Sequence, residues 1–215
     1  HKEMGIDSIL NEYISTTQIN DDDLAIGNLK ARIRMSIIYY YANHKNYLVC
    51  GTGNKSEILI GYFTKHGDGA CDIEPIGDLY KTDVFKLSKF LEIPHEIIEK
   101  PPRAGLWNDQ TDEKEIGMSY DLLDQILYLY TQKDMKNTEI AEKLSIPVDD
   151  VDMIINKKIS LGGKEININC VSMGNPHVVL FLDEIDNINM EKIATDFKFS
   201  NLFPEGCNIE FVKII

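Results

Sequence analysis

A glycine-rich turn, Gly51-Thr52-Gly53-Asn54, stands between a short apolar run and a segment with helical periodicity. Such a turn exposes backbone N–H groups, and the start of the next helix adds positive partial charge, so the pair favours a bound phosphate. Glu57 falls within the first turn of that helix, where a carboxylate can hold a Mg²⁺ ion that bridges phosphate oxygens. The competing interpretation is structural: a plain turn, with Glu57 a solvated helix residue.

Three cationic residues near this turn, Arg32, Lys65 and Lys81, are candidates for neutralising phosphate charge. They matter because the chain is acidic, with 22 basic and 35 acidic residues and a net charge of −13. Such a chain gains no general attraction for nucleic acid or for an anionic membrane, so a few local side chains must hold any anionic ligand. We therefore expect neither nucleic acid nor a membrane as a partner.

The sequence has no signal-peptide pattern at its start and no apolar stretch that approaches a membrane span. Its four cysteines are widely spaced and form no Cys-x-x-Cys pair, which argues against a zinc site. These features predict a cytoplasmic protein with free thiols.

Periodicity divides the chain into a helix-rich and a strand-rich part. Apolar residues at three- and four-residue spacing predict helices over residues 24–42, 55–62, 81–91, 112–130, 138–144 and 149–156. Apolar runs and alternation predict strands at residues 47–50, 166–170, 177–182 and 207–214, with a short helix near 190–197. We place a domain boundary near residues 157–163, giving domains 1–157 and 158–215.

Several separated motifs follow one another in the first part. They are Gly27–Met35, Gly51–Asn54, Gly61–Lys65, Gly67–Asp72, Pro75–Thr82, Lys100–Pro102, Gly105–Trp107 and Gln110–Glu113. In this order they make residues about 5–157 resemble the ammonia-dependent NAD synthetases. The resemblance implies an ATP-driven amidation, in which deamido-NAD is adenylated and ammonia then displaces AMP to give NAD, with pyrophosphate as the other product.

The same resemblance implies roles for individual residues. It places Thr52 and Lys81 on ATP, together with Arg103, which stands where the family usually has Ser or Thr. It places Glu57 on Mg²⁺. Its deamido-NAD contacts are Arg32, Lys65 and Asp72. These roles suit the chemistry, because charge that develops on phosphate oxygens needs fixed cations and a metal more than a proton donor.

The resemblance also implies a phosphate-binding loop that the 215 residues do not contain. The family's Ser-Gly-Gly-x-Asp-Ser loop is expected upstream of Gly27, and the printed sequence does not contain it. We therefore expect a partial doubly wound, Rossmann-like α/β domain without its first strand, which is incomplete for catalysis. The family resemblance further implies a homodimer with residues 24–42 as the contact helix.

Residues about 161–215 resemble an internal piece of diaminopimelate epimerase, a small α+β fragment. The matching stretches are Cys170–His177 and Phe203–Phe211. The resemblance implies that Asn175 and Asn208 hold substrate and that His177 lies beside the reacting carbon. Such an epimerase needs two thiols as acid and base, and their motifs do not occur in this segment.

Two alternatives to a synthetase therefore stay open: an epimerase fragment of lysine biosynthesis, and a non-catalytic chimeric or fusion product. A third comes from residues 137–151, which have the pattern of a helix-turn-helix. A DNA-reading helix needs cations, whereas its proposed second helix carries Asp149, Asp150 and Asp152. A helical pair within the synthetase-like domain is the better interpretation.

Overall fold

The computed structural model describes residues 3–19, 22–105, 109–155, 157–161, 164–172, 176–182, 192, 195 and 208–213. The chain divides into two compact units. One comprises His1–Ile58 and Phe63–Asp121, and the other Leu59–Tyr62 and Leu122–Ile215. The boundary that we predict near residues 157–163 stays a prediction, although the change from helices to strands does fall there.

All the α-helices within the described residues precede the strands, apart from the isolated helical residues Lys192 and Thr195. They are α1 Asp7–Thr17, α2 Asp23–Lys45, α3 Lys55–Ile60, α4 Lys81–Phe90, α5 His95–Ile98, α6 Asp112–Ile116, α7 Tyr120–Lys133, α8 Asn137–Leu144 and α9 Val148–Ile154. The strands are β1 Lys157–Leu161, β2 Lys164–Ser172, β3 Pro176–Leu182 and β4 Asn208–Lys213.

Helix α2 shows how local sequence sets the ends of an element. Its N-cap Asp22 accepts a hydrogen bond from the Ala25 amide at 2.8 Å, which satisfies one of the free N–H groups of the first turn. Asn46 ends the helix in the left-handed conformation, with φ of 56°, which asparagine adopts more readily than most residues. The helix predicted from periodicity over 24–42 is therefore confirmed and slightly longer.

The single helix predicted over residues 112–130 is wrong, because the segment forms two helices, α6 and α7. Gly117 separates them: it adopts a left-handed φ of 86°, and its amide donates to the Glu113 carbonyl at 3.0 Å. This is the usual way in which a glycine ends a helix. The apolar periodicity continues across the break, so periodicity alone does not reveal it.

Helices α7, α8 and α9 share a core within the second unit. Its fully or almost fully buried side chains are Leu123, Ile126, Ile140, Val151 and Ile155. The Asn137 amide at the start of α8 reinforces this core by donating to the Asp152 carboxylate at 2.6 Å and to the Ile155 carbonyl at 3.0 Å. The predicted helices over 138–144 and 149–156 are confirmed to within two residues.

The strand-rich part is a sheet in the order β1-β2-β3-β4. β1 and β2 are antiparallel, as are β2 and β3, whereas β3 and β4 are parallel. The three predicted strands in this part are confirmed, and β1 is an additional strand where we predict only the boundary. The short helix predicted near residues 190–197 lies outside the described residues, except for Lys192 and Thr195, which are helical.

The strand predicted at residues 47–50 is reduced to one parallel bridge between Cys50 and Ile73. A side chain explains why the pairing stops there, because the Asp72 carboxylate accepts the Val49 amide at 2.6 Å. That amide is consequently unavailable to a neighbouring strand. Before β1, this bridge is the only β-pairing in the described part of the chain.

No helix among the described residues is both long enough and apolar enough to cross a membrane. The cytoplasmic location predicted from the sequence stays a prediction.

Candidate functional site

The glycine-rich turn leads directly into α3, and two residues fix the start of that helix. The Asn54 side chain accepts from the Glu57 amide at 3.2 Å, and the Glu57 carboxylate accepts from the Asn54 amide at 3.2 Å. This reciprocal pair satisfies two N–H groups that the first turn would leave free. Asn54 is 2% exposed, so the arrangement is held inside the protein.

A cavity of about 260 Å³ opens beside this turn. Its polar lining combines one hydroxyl with three carboxylates and lies beside an aromatic ring. The lining includes Thr52, Gly53, Glu57, Phe63, Asp68 and Glu74. Sequence reasoning identifies Thr52 and Glu57 as site residues, and the structure brings them to the same cavity.

Lys81 reaches this group from the start of α4. Its ammonium lies 2.9 Å from Glu57 Oε1, and both side chains are largely buried, at 18% and 17% exposure. The backbone contributes as well, because the Lys81 amide donates to the hydroxyl of the fully buried Ser56 at 2.9 Å. The starts of α3 and α4 are thereby held together, and Glu57 and Lys81, which the sequence assigns to metal and to ATP, form a direct ion pair.

Two residues that sequence reasoning does not assign to the site complete the surroundings of Lys81. The Lys81 ammonium lies 5.1 Å from the centre of the Tyr120 ring. The Tyr120 hydroxyl lies 3.2 Å from Asp112 Oδ2 and 3.5 Å from Glu57 Oε1. Asp112 belongs to the motif Gln110–Glu113, which matches the family but has no role assigned to it from the sequence. This unassigned motif is the one sequence signal that points to Asp112.

Arg32 and Lys65 lie next to each other. Arg32 Nε donates to the Lys65 carbonyl at 3.1 Å. The loop that carries Lys65 is fixed to α2 by a buried hydrogen bond at 2.9 Å from the Thr64 hydroxyl to the Asn28 side chain. Gly67 is required for this fit, since a Cβ there would lie 2.9 Å from Ala31 Cβ. The same loop supplies Phe63 and Asp68 to the cavity, which links the two cations to the Thr52 turn.

Asp72, which the resemblance assigns to the dinucleotide, has local partners in this structure. Its carboxylate accepts from the Val49 amide at 2.6 Å and from the Tyr39 hydroxyl at 3.3 Å. Burial and then the Asp72 charge raise the pKa of Tyr39, so the phenol keeps its proton and stays a donor. Asp72 therefore also orders the segment that leads into the turn.

A cysteine and a glutamate, Cys71 and Glu74, lie close to the glycines of the turn. A Cβ on Gly51 would lie 2.6 Å from the Cys71 sulfur, so only glycine fits there without displacement. Burial, followed by the nearby Glu74 carboxylate, raises the pKa of the Cys71 thiol. The thiol is therefore neutral and acts as a packing group.

The remaining predicted site residues are Arg103, assigned to ATP, and the three epimerase-like residues Asn175, His177 and Asn208. Arg103 is exposed, and no hydrogen bond or ion pair within the described residues joins it to Thr52 or Lys81. Asn175 lies outside the described residues. His177 and Asn208 are on β3 and β4, where they are direct partners in the parallel register.

Among the described residues, no group of three or more His, Cys, Asp or Glu side chains could hold a metal ion. Mg²⁺ commonly takes only one or two protein carboxylates and completes its coordination with phosphate oxygens and water. Glu57 fits that limited role, because its Oε2 accepts from the Asn54 amide and a carboxylate oxygen can accept more than one partner.

Most of the chain is similar to known proteins. A family model described as NAD synthase matches residues 1–160. An "NH(3)-dependent NAD(+) synthetase" from Sulfurisphaera tokodaii is 51% identical over 153 residues, which are 71% of this chain and 54% of that protein. A protein of the same description from Methanocaldococcus jannaschii is 54% identical over 144 residues, 67% of this chain and 54% of that protein. The chain thus spans about half the length of these relatives.

Solved structures agree with the sequence relatives. An NMN synthetase from Francisella tularensis is 43% identical, with a TM-score of 0.57 over 59% of this chain and 53% of that one. An NH3-dependent NAD synthetase from Campylobacter jejuni is 33% identical, with a TM-score of 0.50 over 73% of this chain and 63% of that one. These neighbours support the predicted Rossmann-like fold for the first part. With a family match that extends over residues 1–160, the chain belongs to the NAD synthase family.

Proposed function

We propose that the chain is part of an ammonia-dependent NAD synthetase, a ligase that amidates deamido-NAD at the expense of ATP. The observation that carries the proposal is the Glu57–Lys81 ion pair at the Thr52 cavity. It places a cation beside a glycine-rich turn at a helix start, which suits phosphate, together with a carboxylate that can hold Mg²⁺. The relatives at about 50% identity carry that description.

In the proposed reaction, the nicotinate carboxylate of deamido-NAD attacks the α-phosphorus of ATP and pyrophosphate leaves. Ammonia then attacks the acyl-adenylate, AMP leaves, and a proton is lost to solvent. Lys81 would offset charge on the phosphate oxygens, and Thr52 would donate to them. A Mg²⁺ ion held by Glu57 would supply further charge compensation in this scheme. The Ser-Gly-Gly-x-Asp-Ser loop implied by the resemblance would add further phosphate contacts.

Arg32 and Lys65 are the proposed contacts to the two phosphates of deamido-NAD, with Asp72 as the third residue of that subsite. Their support is the Arg32–Lys65 hydrogen bond and the loop that both share with the cavity. A charge-assisted phosphate contact contributes about 1.5–3 kcal/mol. Arg103, at the position where the family usually has Ser or Thr, remains a proposed ATP contact.

Replacing Arg32 by alanine is therefore expected to weaken deamido-NAD binding by about tenfold or more, as measured by calorimetric titration. Arg34 is the matched control, because it is an exposed arginine on the same helix α2, two residues further along. Arg34→Ala should bind as the wild type does. Wild-type affinity in Arg32→Ala would remove Arg32 from the site and with it the main support for the dinucleotide subsite.

The NMN synthetase among the structural neighbours suggests a second candidate substrate, the corresponding nicotinate mononucleotide. Both candidates present a nicotinate carboxylate and at least one phosphate, so the site chemistry is shared. The same titration with each nucleotide ranks the two. Tighter binding of the mononucleotide would favour this alternative.

We further propose that the chain forms a homodimer through α2. Two adjoining grooves of about 330 and 440 Å³ run along this helix, and Met4, Ile37 and Tyr41 line both. Tyr40 on the same helix is 74% exposed and lines the smaller groove, so it belongs to a contiguous apolar surface, which is typical of an interaction site.

Tyr40→Glu is expected to shift the chain from dimer to monomer in sedimentation experiments, because it places a charge in an apolar contact. Phe90→Glu is the control, since Phe90 is 81% exposed on α4 and lies outside both grooves. A Tyr40→Glu protein that sediments as the wild type does would contradict the proposed surface.

For residues 158–215, the resemblance to a diaminopimelate epimerase fragment stays a prediction. Its support is that His177 and Asn208, which the resemblance assigns to one substrate, are register partners on neighbouring strands. The two catalytic thiol motifs do not occur in the segment. We therefore propose no epimerase activity for it.

A further inference from the structure

Tyr120 is almost completely buried, at 2% exposure. Its ring and its hydroxyl both lie close to the Glu57–Lys81 ion pair. The ring lies under the Lys81 ammonium at 5.1 Å, and the hydroxyl lies 3.5 Å from Glu57 Oε1. A cation over a desolvated aromatic face is attracted by the ring quadrupole. The ring therefore limits where the ammonium can lie.

Asp112 fixes the direction of the Tyr120 hydroxyl group. A phenol has one proton to donate, and the 3.2 Å distance to Asp112 Oδ2 is shorter than the distance to Glu57. The backbone of Tyr120 is fixed too, because its amide donates to Glu113 Oε1 at 2.9 Å. With Asp112 itself 4% exposed, the tyrosine is held at both its hydroxyl and its amide.

We propose that Tyr120, oriented by Asp112, is a positioning residue that sets where the Lys81 ammonium lies in the polyphosphate site. This inference rests on the proposed function. It assigns Tyr120 no contact with ATP: the tyrosine acts through Lys81. An ammonium on a flexible four-carbon chain binds phosphate better when its position is set in advance, because less side-chain freedom is lost on binding.

A second lysine in the same region provides an internal comparison. Lys55 also pairs with a carboxylate, Asp78, at 2.9 Å, and lies 5.2 Å from the centre of the Tyr80 ring. The two carboxylates differ, however: Asp78 is 96% exposed and does not line the Thr52 cavity, whereas Glu57 is largely buried and does. The Lys55 pair thus has the same local chemistry outside the site, which makes it the natural control.

The first test needs no ligand. In the NMR spectrum of the chain, the ε-methylene protons of Lys81 should be shifted upfield by the ring current of Tyr120, with the signal identified by its loss in Lys81→Arg. Tyr120→Leu should remove the shift, whereas Tyr80→Leu should leave it and remove the shift of Lys55. An unchanged Lys81 signal in Tyr120→Leu would overturn the inference.

The second test measures ATP binding by titration, using Tyr120→Phe because it preserves the ring and the packing volume. Loss of the Asp112 hydrogen bond should weaken ATP binding by about five- to tenfold. In a Lys81→Met background, the same change should have no further effect, because the tyrosine acts through Lys81. Equal losses in both backgrounds, or no loss in either, would overturn the positioning role.

The two tests separate this inference from the function on which it rests. A wild-type chain that does not bind ATP would refute the proposed ATP site, while the ligand-free spectrum would still decide whether Tyr120 positions Lys81. If Tyr120→Leu does not fold, Asp112→Asn replaces it in the spectrum. The Lys81 shift should then decrease, and a shift of wild-type size would count against the proposal.

Discussion

Replacing Lys81 by methionine is expected to weaken ATP binding by at least about tenfold, which corresponds to about 1.4 kcal/mol or more. Lys81 is 18% exposed and is held by Glu57 and by the Tyr120 ring, so its charge is fixed within the site. A fixed, partly desolvated cation contributes more to phosphate binding than a solvated one. Methionine keeps most of the chain length and removes the charge.

Lys55→Met is the matched control for this measurement. Lys55 has the same local arrangement of a carboxylate and a tyrosine ring, but its partner Asp78 is exposed to solvent. The hydrogen bond from Lys55 lowers the pKa of Asp78, so the pair exists at neutral pH and its loss is a fair comparison. Titrations of both variants should show a loss of affinity in Lys81→Met alone. Equal effects would mean that general charge, and not the site, determines ATP binding.

The sequence predicts the helices of this fold well because most of them carry a regular apolar face or a clear end signal. Helices α2, α4, α8 and α9 begin and end within three residues of the predicted bounds. α1 is not predicted, and only one of its residues, Leu10, is buried. Burial does not account for the difference, because α4 is predicted although none of its residues is buried.

The site could be predicted in part, and the missing part has a physical cause. Glu57 and Lys81 follow from motifs that stand within 25 residues of each other, and they do form an ion pair. Tyr120 lies 63 positions beyond Glu57. It is the first residue of α7, a helix with an ordinary apolar face. A tyrosine at such a position is normally a core residue, and only the fold reveals that its ring and hydroxyl meet the ion pair.

Asp72 illustrates the opposite case, a predicted ligand contact that also has a structural use. Its carboxylate accepts from the Val49 amide at 2.6 Å and so replaces a strand-to-strand hydrogen bond. A hydrogen bond from a backbone amide to a side chain cannot be predicted from apolar periodicity, because periodicity indicates only helices and strands. The same contact explains why the predicted strand over 47–50 is only a bridge.

Leu123→Ala is expected to produce the largest loss of stability, about 3 kcal/mol in the free energy of unfolding. Leu123 is completely buried on α7, within the second unit. Removing its three terminal carbons forfeits their transfer free energy and leaves a cavity that neighbouring helices can close only partly. Because small domains are stable by about 5–15 kcal/mol, this is a large fraction of the total.

Urea unfolding followed by far-ultraviolet circular dichroism measures this effect, because these helices contribute strongly to the signal. Gln132→Ala on the same helix is the control: the residue is exposed, and most surface substitutions change stability by less than about 0.5 kcal/mol. Leu123→Ala should lower the urea midpoint with little change in slope, whereas Gln132→Ala should leave both unchanged. A loss below about 1 kcal/mol for Leu123→Ala would contradict close packing around Leu123, since truncating a fully buried leucine costs more than that wherever the surrounding side chains are fixed.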